Sequence, residues 1–396
     1  MRLDDEDEED NEPRPAYQYV TTATNLISRL EVLGYTLNKV KDEFEKGKVR
    51  AIEESKLWEA KGYFKAIDDG IEKFWITPPF ATSKILKQFY SGYTFEVWNQ
   101  LIKKVIARKL RSVYNLQNET SREKRLKKQN IHLYHILEAR GHDNGFKFGF
   151  PSENPYYLYR GLLEAVKPET PVILDFSSLV NWIEAEEYLC EPPKTVILTE
   201  GSSDKRILQE SLKILYPHLY DYYSFIDFDL ANMPGSAGHL VNIVKAFVAT
   251  GVERKTIAIF DNDTAGHDAM RQLVNVPLPE HMRILSLPNL EFAKKYPTIG
   301  PQGQIEIDIN GLACSIELYL GQNMLLDENN NFLPIQWGGY MQGAKKYQGE
   351  IINKITIQNR YLKLLSRIEA NPNLSKTYDW SGMHSIFQAI FNAFNN

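Results

Sequence analysis

Two short stretches place acids where a parallel sheet does its chemistry. One is Val196-Ile197-Leu198-Thr199-Glu200-Gly201-Ser202-Ser203-Asp204. The other is Ile257-Ala258-Ile259-Phe260-Asp261-Asn262-Asp263-Thr264-Ala265-Gly266. In each, an apolar run of strand length ends in carboxylates and a turn with glycine. Open parallel α/β sheets build their sites at the carboxyl ends of strands. If these strands are neighbours, Glu200, Asp204, Asp261 and Asp263 converge on one edge. Four carboxylates that close repel and raise one another's pKa unless a cation sits among them. Oxygen donors with neither Cys nor His among them favour Mg²⁺ or Mn²⁺ over Zn²⁺. Either stretch alone also reads as helix capping, with Asp204 an N-cap and Asp263 a turn residue. Both together, after two apolar strands, argue for more than capping.

The elements that must position these acids follow from periodicity. Strands are expected over Thr195–Thr199, Tyr223–Phe228, Thr256–Phe260 and Arg283–Leu287, and helices over Asp204–Leu215, Leu240–Thr250 and Ala265–Leu273. This alternation predicts an α/β core, a mostly parallel sheet with helices on both faces. Upstream, from Tyr17 to about Leu137, apolar residues recur at threes and fours, as in Leu26, Ile27, Leu30, Leu33 and Leu37. That spacing predicts a helical domain broken near Pro78-Pro79 and Asn118-Glu119-Thr120. The segment rich in Gly, Pro, Asn and aromatics from His142 to Tyr159 reads as a connector. Val172-Ile173-Leu174 is a short apolar run, followed by a helical pattern through Trp182 and Tyr188. The expected division is a disordered acidic tail over 1–16, a helical domain over 17–150, a connector over 151–190, the α/β core over 191–325 and a C-terminal extension over 326–396.

Composition bounds the function class. The 396 residues are 43% hydrophobic and 24% charged, the balance of a chain that buries a core. No run approaches the roughly 18 apolar residues of a membrane span. The acidic start is unlike a secretory signal, so a cytoplasmic protein is expected. Cys190 and Cys314 are too few and too far apart for structural zinc or a disulfide framework. The net charge of −5 hides an asymmetry: residues 1–12 carry eight acids and Arg2. Between Lys103 and Lys128 the bases are Lys103, Lys104, Arg108, Lys109, Arg111, Arg122, Lys124, Arg125, Lys127 and Lys128, against Glu119 and Glu123. A run that dense fits phosphate binding, or alternatively a solvated helix face.

Thr199-Glu200-Gly201-Ser202-Ser203-Asp204 followed by Asp261-Asn262-Asp263 resembles the motif pair of Toprim domains, a strand-end glutamate and a later Asp-x-Asp. The resemblance spans about 191–325 and extends to the overcoming-lysogenization-defect nucleases. Over a longer stretch the chain is similar to bacterial HEPN/Toprim-associated proteins, through Val196–Leu208, Tyr216-Pro217-His218-Leu219, Leu240–Phe247, Phe260–Ala265, Tyr296–Pro301 and Asn310–Leu320. Tyr17–Tyr35 and Tyr347-Gln348-Gly349-Glu350 add to the similarity.

The resemblance implies roles. Glu200 is a metal ligand and a general acid or base; Asp261 and Asp263 hold the catalytic Mg²⁺; Asp204 completes the first of two ion sites. Glu317 would serve the second ion, and Lys354, with Lys346 next to it in preference, would neutralise transition-state charge. Two cations and a lysine are the equipment of phosphodiester hydrolysis. The chain lacks the zinc modules of primases and any G-x-x-x-x-G-K-[ST] ATPase loop, which leaves a Mg²⁺- or Mn²⁺-dependent nuclease acting on DNA or RNA, in antiviral defence by the family analogy. HEPN ribonucleases use Arg-x(4–6)-His, and Arg125 with His132 has the widest such spacing. The rival readings are therefore a metal-independent ribonuclease with a structural Toprim domain, and a non-catalytic nucleic-acid-binding subunit of a separately encoded ATPase or sensor. Homo-oligomerisation stays open.

Overall fold

The computed structural model describes residues 18–61, 82–110, 125–126, 128–138, 147–175, 193–226, 228, 234–301 and 303–395. The chain divides between Tyr188 and Leu189 into two units.

In the first unit a strand, β1 (Gln18–Thr22), leads into helices α1 (Ala23–Val32), α2 (Leu37–Ala60), α3 (Ser83–Tyr90), α4 (Phe95–Ala107), α5 (Ile131–Glu138) and α6 (Pro155–Leu163). The first four helices start alike. Thr22, Thr36, Thr82 and Thr94 are extended N-caps whose hydroxyls each accept a backbone N–H three residues on. The buried faces meet in an aromatic core, where Phe44 of α2 touches Tyr93, Phe95, Trp98 and Phe150. A second strand, β2 (Pro171–Asp175), returns antiparallel to β1, with Val20 opposite Ile173. The connector expected over 151–190 is thereby corrected for its described part. Leu158 and Leu163 of α6 are buried in this unit, and Val172-Ile173-Leu174 pairs with β1. Pro155 and Pro171 there open α6 and β2, and Gly161 lies within α6.

The second unit carries the α/β core. Its elements run β3 (Thr195–Leu198), α7 (Ser202–Leu215), β4 (Tyr223–Phe225), α8 (Ala237–Thr250), β5 (Thr256–Phe260), β6 (Asn262–Asp263), α9 (Thr264–Arg271) and β7 (Met282–Ser286). The sheet order is β4-β3-β5-β7, every pair parallel. All five residues of β5 are buried. Successive side chains of a strand face opposite ways, so both faces of the sheet are covered. On one face Ala258 and Phe260 pack with Leu240, Val241 and Val244 of α8 and with Ala269 and Leu273. From β3 the chain crosses to β4 on one side, then returns to β5 on the other. The crevice at the carboxyl ends of β3 and β5 is thus the switch point where such sheets bind ligands.

A second sheet follows. Its strands β8 (Tyr296–Gly300), β9 (Gly303–Ile307), β11 (Ile335–Met341) and β12 (Lys346–Ile351) lie in the order β12-β11-β8-β9. A two-residue strand, β10 (Ala313–Cys314), pairs instead with β6. Helices α10 (Lys354–Ala370) and α11 (Ser381–Phe391) complete the unit. Residues 326–396 are no separate extension: the Tyr361 hydroxyl of α10 bonds Ser211 of α7 at 2.8 Å, and Lys213 pairs with Glu369 at 2.8 Å.

Candidate active site

Glu200 sits just beyond β3 and Asp261 just beyond β5. The Asp261 backbone N–H donates to Glu200 Oε1 at 2.9 Å and links the two strand ends. Asp263 caps α9, its Oδ1 accepting from Gly266 N at 2.7 Å, while Oδ2 accepts from Gln348 Nε2 at 2.6 Å. The capping reading therefore holds for Asp263. It does not hold for Asp204, which lies in the first turn of α7 behind an N-cap at Gly201 that makes no side-chain bond. Asp204 Oδ1 accepts from Ser203 Oγ at 3.3 Å. Gly266 is required sterically, because a Cβ there would stand 2.3 Å from the Asp261 carbonyl oxygen.

The short β6–β10 ladder sets Ala313 opposite Asp263 and so leads the chain into the turn over residues 316–319. Glu317 in that turn is wholly buried. Its Oε2 accepts from Ser315 Oγ at 2.5 Å, its Oε1 from Gln358 Nε2 at 2.5 Å, and Lys354 Nζ stands 3.7 Å from Oε2. Lys354 opens α10 directly after Asn353, a left-handed residue at φ 59°, and also lies 3.9 Å from Glu350. Lys346 is exposed on β12, and its charge bears on His267.

The charges interact strongly. Burial raises the Glu200 carboxyl to about 7, helped by Asp263 and Asp204 and opposed by the Asp261 N–H and by Lys354. Burial raises Asp204 to about 6; Glu317 adds to the shift and Lys354 reduces it. Asp261 is pushed well above the carboxylate range, first by burial, then by Asp204, Glu200, Asp263 and Glu317. For Lys354, burial works to lower the pKa, but Glu317, Asp261, Asp204 and Glu350 outweigh it and the net shift is upward. Five acids thus bear on one another with a single lysine among them.

Glu200, Asp204 and Asp261, raised first by burial and then by neighbouring carboxyls, match a hard divalent cation in donor chemistry. Their placement is open: among the described residues no three His, Cys, Asp or Glu side chains close on a common point. Binding an ion would require carboxylate rotation, and Glu200 and Asp204 are only half-buried, which leaves them room to turn. Cys314 is buried, and Cys190 lies outside the described residues.

Three residues of this site carried no readable role in the sequence: Gln348, Ser315 and Gln358. Neutral polar side chains have no spacing rule. What could have pointed to Gln348 is its position inside Tyr347-Gln348-Gly349-Glu350.

In the helical unit Lys103, Lys104, Arg108, Lys109, Arg125 and Lys128 are exposed. Arg111, Arg122, Lys124 and Lys127 lie outside the described residues. His132 is engaged in packing: its Nε2 pairs with the Phe89 carbonyl oxygen at 2.7 Å and its ring stacks on Tyr93 at 4.4 Å. His135 is buried, its Nδ1 has no hydrogen-bond partner among the described residues, and burial lowers its pKa to about 4.

Residues 2–195 match the family described as HEPN/Toprim N-terminal domain 1. The match ends at the first residue of β3, so it covers the helical unit and none of the acid–lysine cluster. No curated protein and no solved structure matches the chain. Among the described residues no helix is long and apolar enough to cross a membrane.

Proposed function

This chain is a HEPN/Toprim-associated domain protein, and from that premise we propose that it is a divalent-cation-dependent nuclease, cutting phosphodiester bonds of DNA or RNA at the acid–lysine cluster. The observation that carries the reading is the meeting of Glu200 and Asp261 across two neighbouring strand ends, with Lys354 3.7 Å from the buried Glu317 on the same cluster.

Glu200, Asp204, Asp261, Asp263 and Glu317 would hold Mg²⁺ or Mn²⁺, in two ions by the Toprim resemblance, and bound cations would supply positive charge for the phosphate and acidify water. The chain's own groups do the rest. Gln348 and Gln358 hold Asp263 and Glu317 in fixed orientation. Lys354 offers a fixed ammonium to the charge that builds on phosphate oxygens during cleavage. Glu200, half-ionised near neutrality when no cation is present, suits proton transfer. Antiviral defence, and activation by a separately encoded ATPase or sensor, extend the proposal by analogy alone.

The test incubates the purified chain with supercoiled plasmid, single-stranded DNA and RNA, each with Mg²⁺, Mn²⁺ or EDTA, beside the Asp261→Ala/Asp263→Ala double variant. Metal-dependent cleavage lost in the variant is the expected result. Cleavage of RNA that survives both EDTA and the variant, and disappears in His132→Ala, would transfer the chemistry to the helical unit. The tie of His132 to Phe89 and Tyr93 argues against that outcome.

A further inference from the structure

The strands β11 and β12 form a hairpin whose outer end carries two tyrosines and two lysines. Tyr340 and Tyr347 face each other across the strands with ring centroids 5.1 Å apart and planes at 70°. They are 46% and 56% exposed, a large amount for aromatic rings that pack on each other. A bulge between Trp337 and Tyr340, formed where Gly338-Gly339 oppose a single residue, brings the two rings opposite one another. Lys345 and Lys346 follow at the turn, both exposed, and among the described residues neither forms an ion pair. The nearby acids are engaged elsewhere: Asp268 with Arg271 at 3.4 Å and Glu350 with Lys354 at 3.9 Å.

The hairpin is continuous with the acid cluster. Gln348, next to Tyr347, donates to Asp263, and the Tyr347 carbonyl accepts from Thr264 Oγ1 at 2.8 Å. A cavity of about 700 Å³ lies along β12 and the start of α10, lined by Gln336, Gln348, Asn353, Lys354 and Thr356, with Glu350 at its wall.

Exposed aromatic rings next to unpaired cations are the two components of single-strand binding: π-faces for bases and ammonium groups for phosphates. A base inside a duplex already has both faces covered by its neighbours, so only an unpaired base can stack on a tyrosine. We propose that this hairpin binds single-stranded nucleic acid and feeds it to the acid cluster, which fixes the substrate class of the nuclease as unpaired strands. The proposal rests on the nuclease reading for its purpose, but the binding itself needs no divalent cation.

The full-length chain is titrated in EDTA into fluorescently labelled oligo-dT, oligo-U and a blunt duplex, and anisotropy is read. Tyr340→Ala/Tyr347→Ala is expected to weaken single-strand binding tenfold or more while duplex affinity changes less than threefold. Tyr340→Phe/Tyr347→Phe keeps the π-faces and should bind within twofold of the parent. Lys345→Ala/Lys346→Ala should reduce the slope of log affinity against log salt by roughly 1.4 on single strands. Equal affinity of the parent and the tyrosine-to-alanine variant for single strands overturns the proposal, as does a parent that favours duplex or binds neither. Since these readings are taken without divalent cation, loss of the nuclease reading in the cleavage assay leaves them intact, and the converse also holds.

Discussion

Asp261 is the residue at which fold and chemistry oppose each other most directly. Burial and four neighbouring carboxyls all penalise its charge, and its own backbone N–H is spent on Glu200. A carboxyl whose folded pKa lies above its unfolded value binds more protons in the folded state. It costs no stability at acid pH and an increasing amount as pH rises toward the folded pKa. Asp261→Asn should therefore abolish cleavage yet raise the melting temperature in EDTA at pH 8 by several degrees, with the gain shrinking toward pH 5. An equal or lower melting temperature at pH 8 would count against a repelling cluster. His135 has the opposite sign: burial depresses it from 6.5 to about 4. Its contribution is fully present above 6.5 and is lost as pH falls toward 4, on the order of 3 kcal/mol. His135→Leu should flatten that acid loss in a melting series from pH 7 to pH 4.5. Glu200, Asp204, Asp261 and Asp263 stood out in the sequence because they follow apolar strands, whereas Glu317 entered only through the Toprim resemblance. Their amide partners, Gln348 and Gln358, did not, because they lie 85 residues beyond Asp263 and 41 beyond Glu317 in the chain, and hydrogen bonds across such distances leave no periodic trace.

Among elements, the turn over residues 316–319 depends on close backbone packing rather than on strand pairing. Helix α11 passes so near that a Cβ on Gly382 would stand 2.5 Å from the Tyr319 carbonyl oxygen and 2.7 Å from Tyr319 Cα. Backbone cannot move aside as a side chain can. Gly382→Ala should cost roughly 1–3 kcal/mol, seen as a lower denaturation midpoint, and should reduce cleavage as Glu317 shifts. Unchanged stability and activity would show that the turn has slack. The central parallel strands β3 and β5 were readable because strands buried on both faces are continuous apolar runs. The sheet of β8, β9, β11 and β12 was not. Its strands are rich in Gly, Gln and Tyr, half-exposed and interrupted by a bulge, so neither alternation nor an apolar run marks them. The β1–β2 ribbon was hidden for a different reason: its partners are about 150 residues apart.

At the scale of the whole chain, two units with separate cores predict two thermal transitions. Scanning calorimetry should show that Mg²⁺ raises the midpoint of one of them, since an ion bound only to the folded state stabilises by mass action. That transition should be the one altered by Asp261→Asn, and the other should be the one altered by His135→Leu. A single transition that moves with both would show that the units unfold together. The β6–β10 ladder and the Gln348–Asp263 bond carry one more consequence. The acids of β3 and β5 are synthesised early, but the clamp on Asp263 comes 85 residues later and Lys354 later still. Pairings of such long sequence separation carry a loop-closure cost that slows their formation. A nascent chain stopped near residue 340 thus holds its carboxylates without the lysine or the amide that orients them. During translation the acid–lysine cluster is therefore completed only after residues 348–358 have been made.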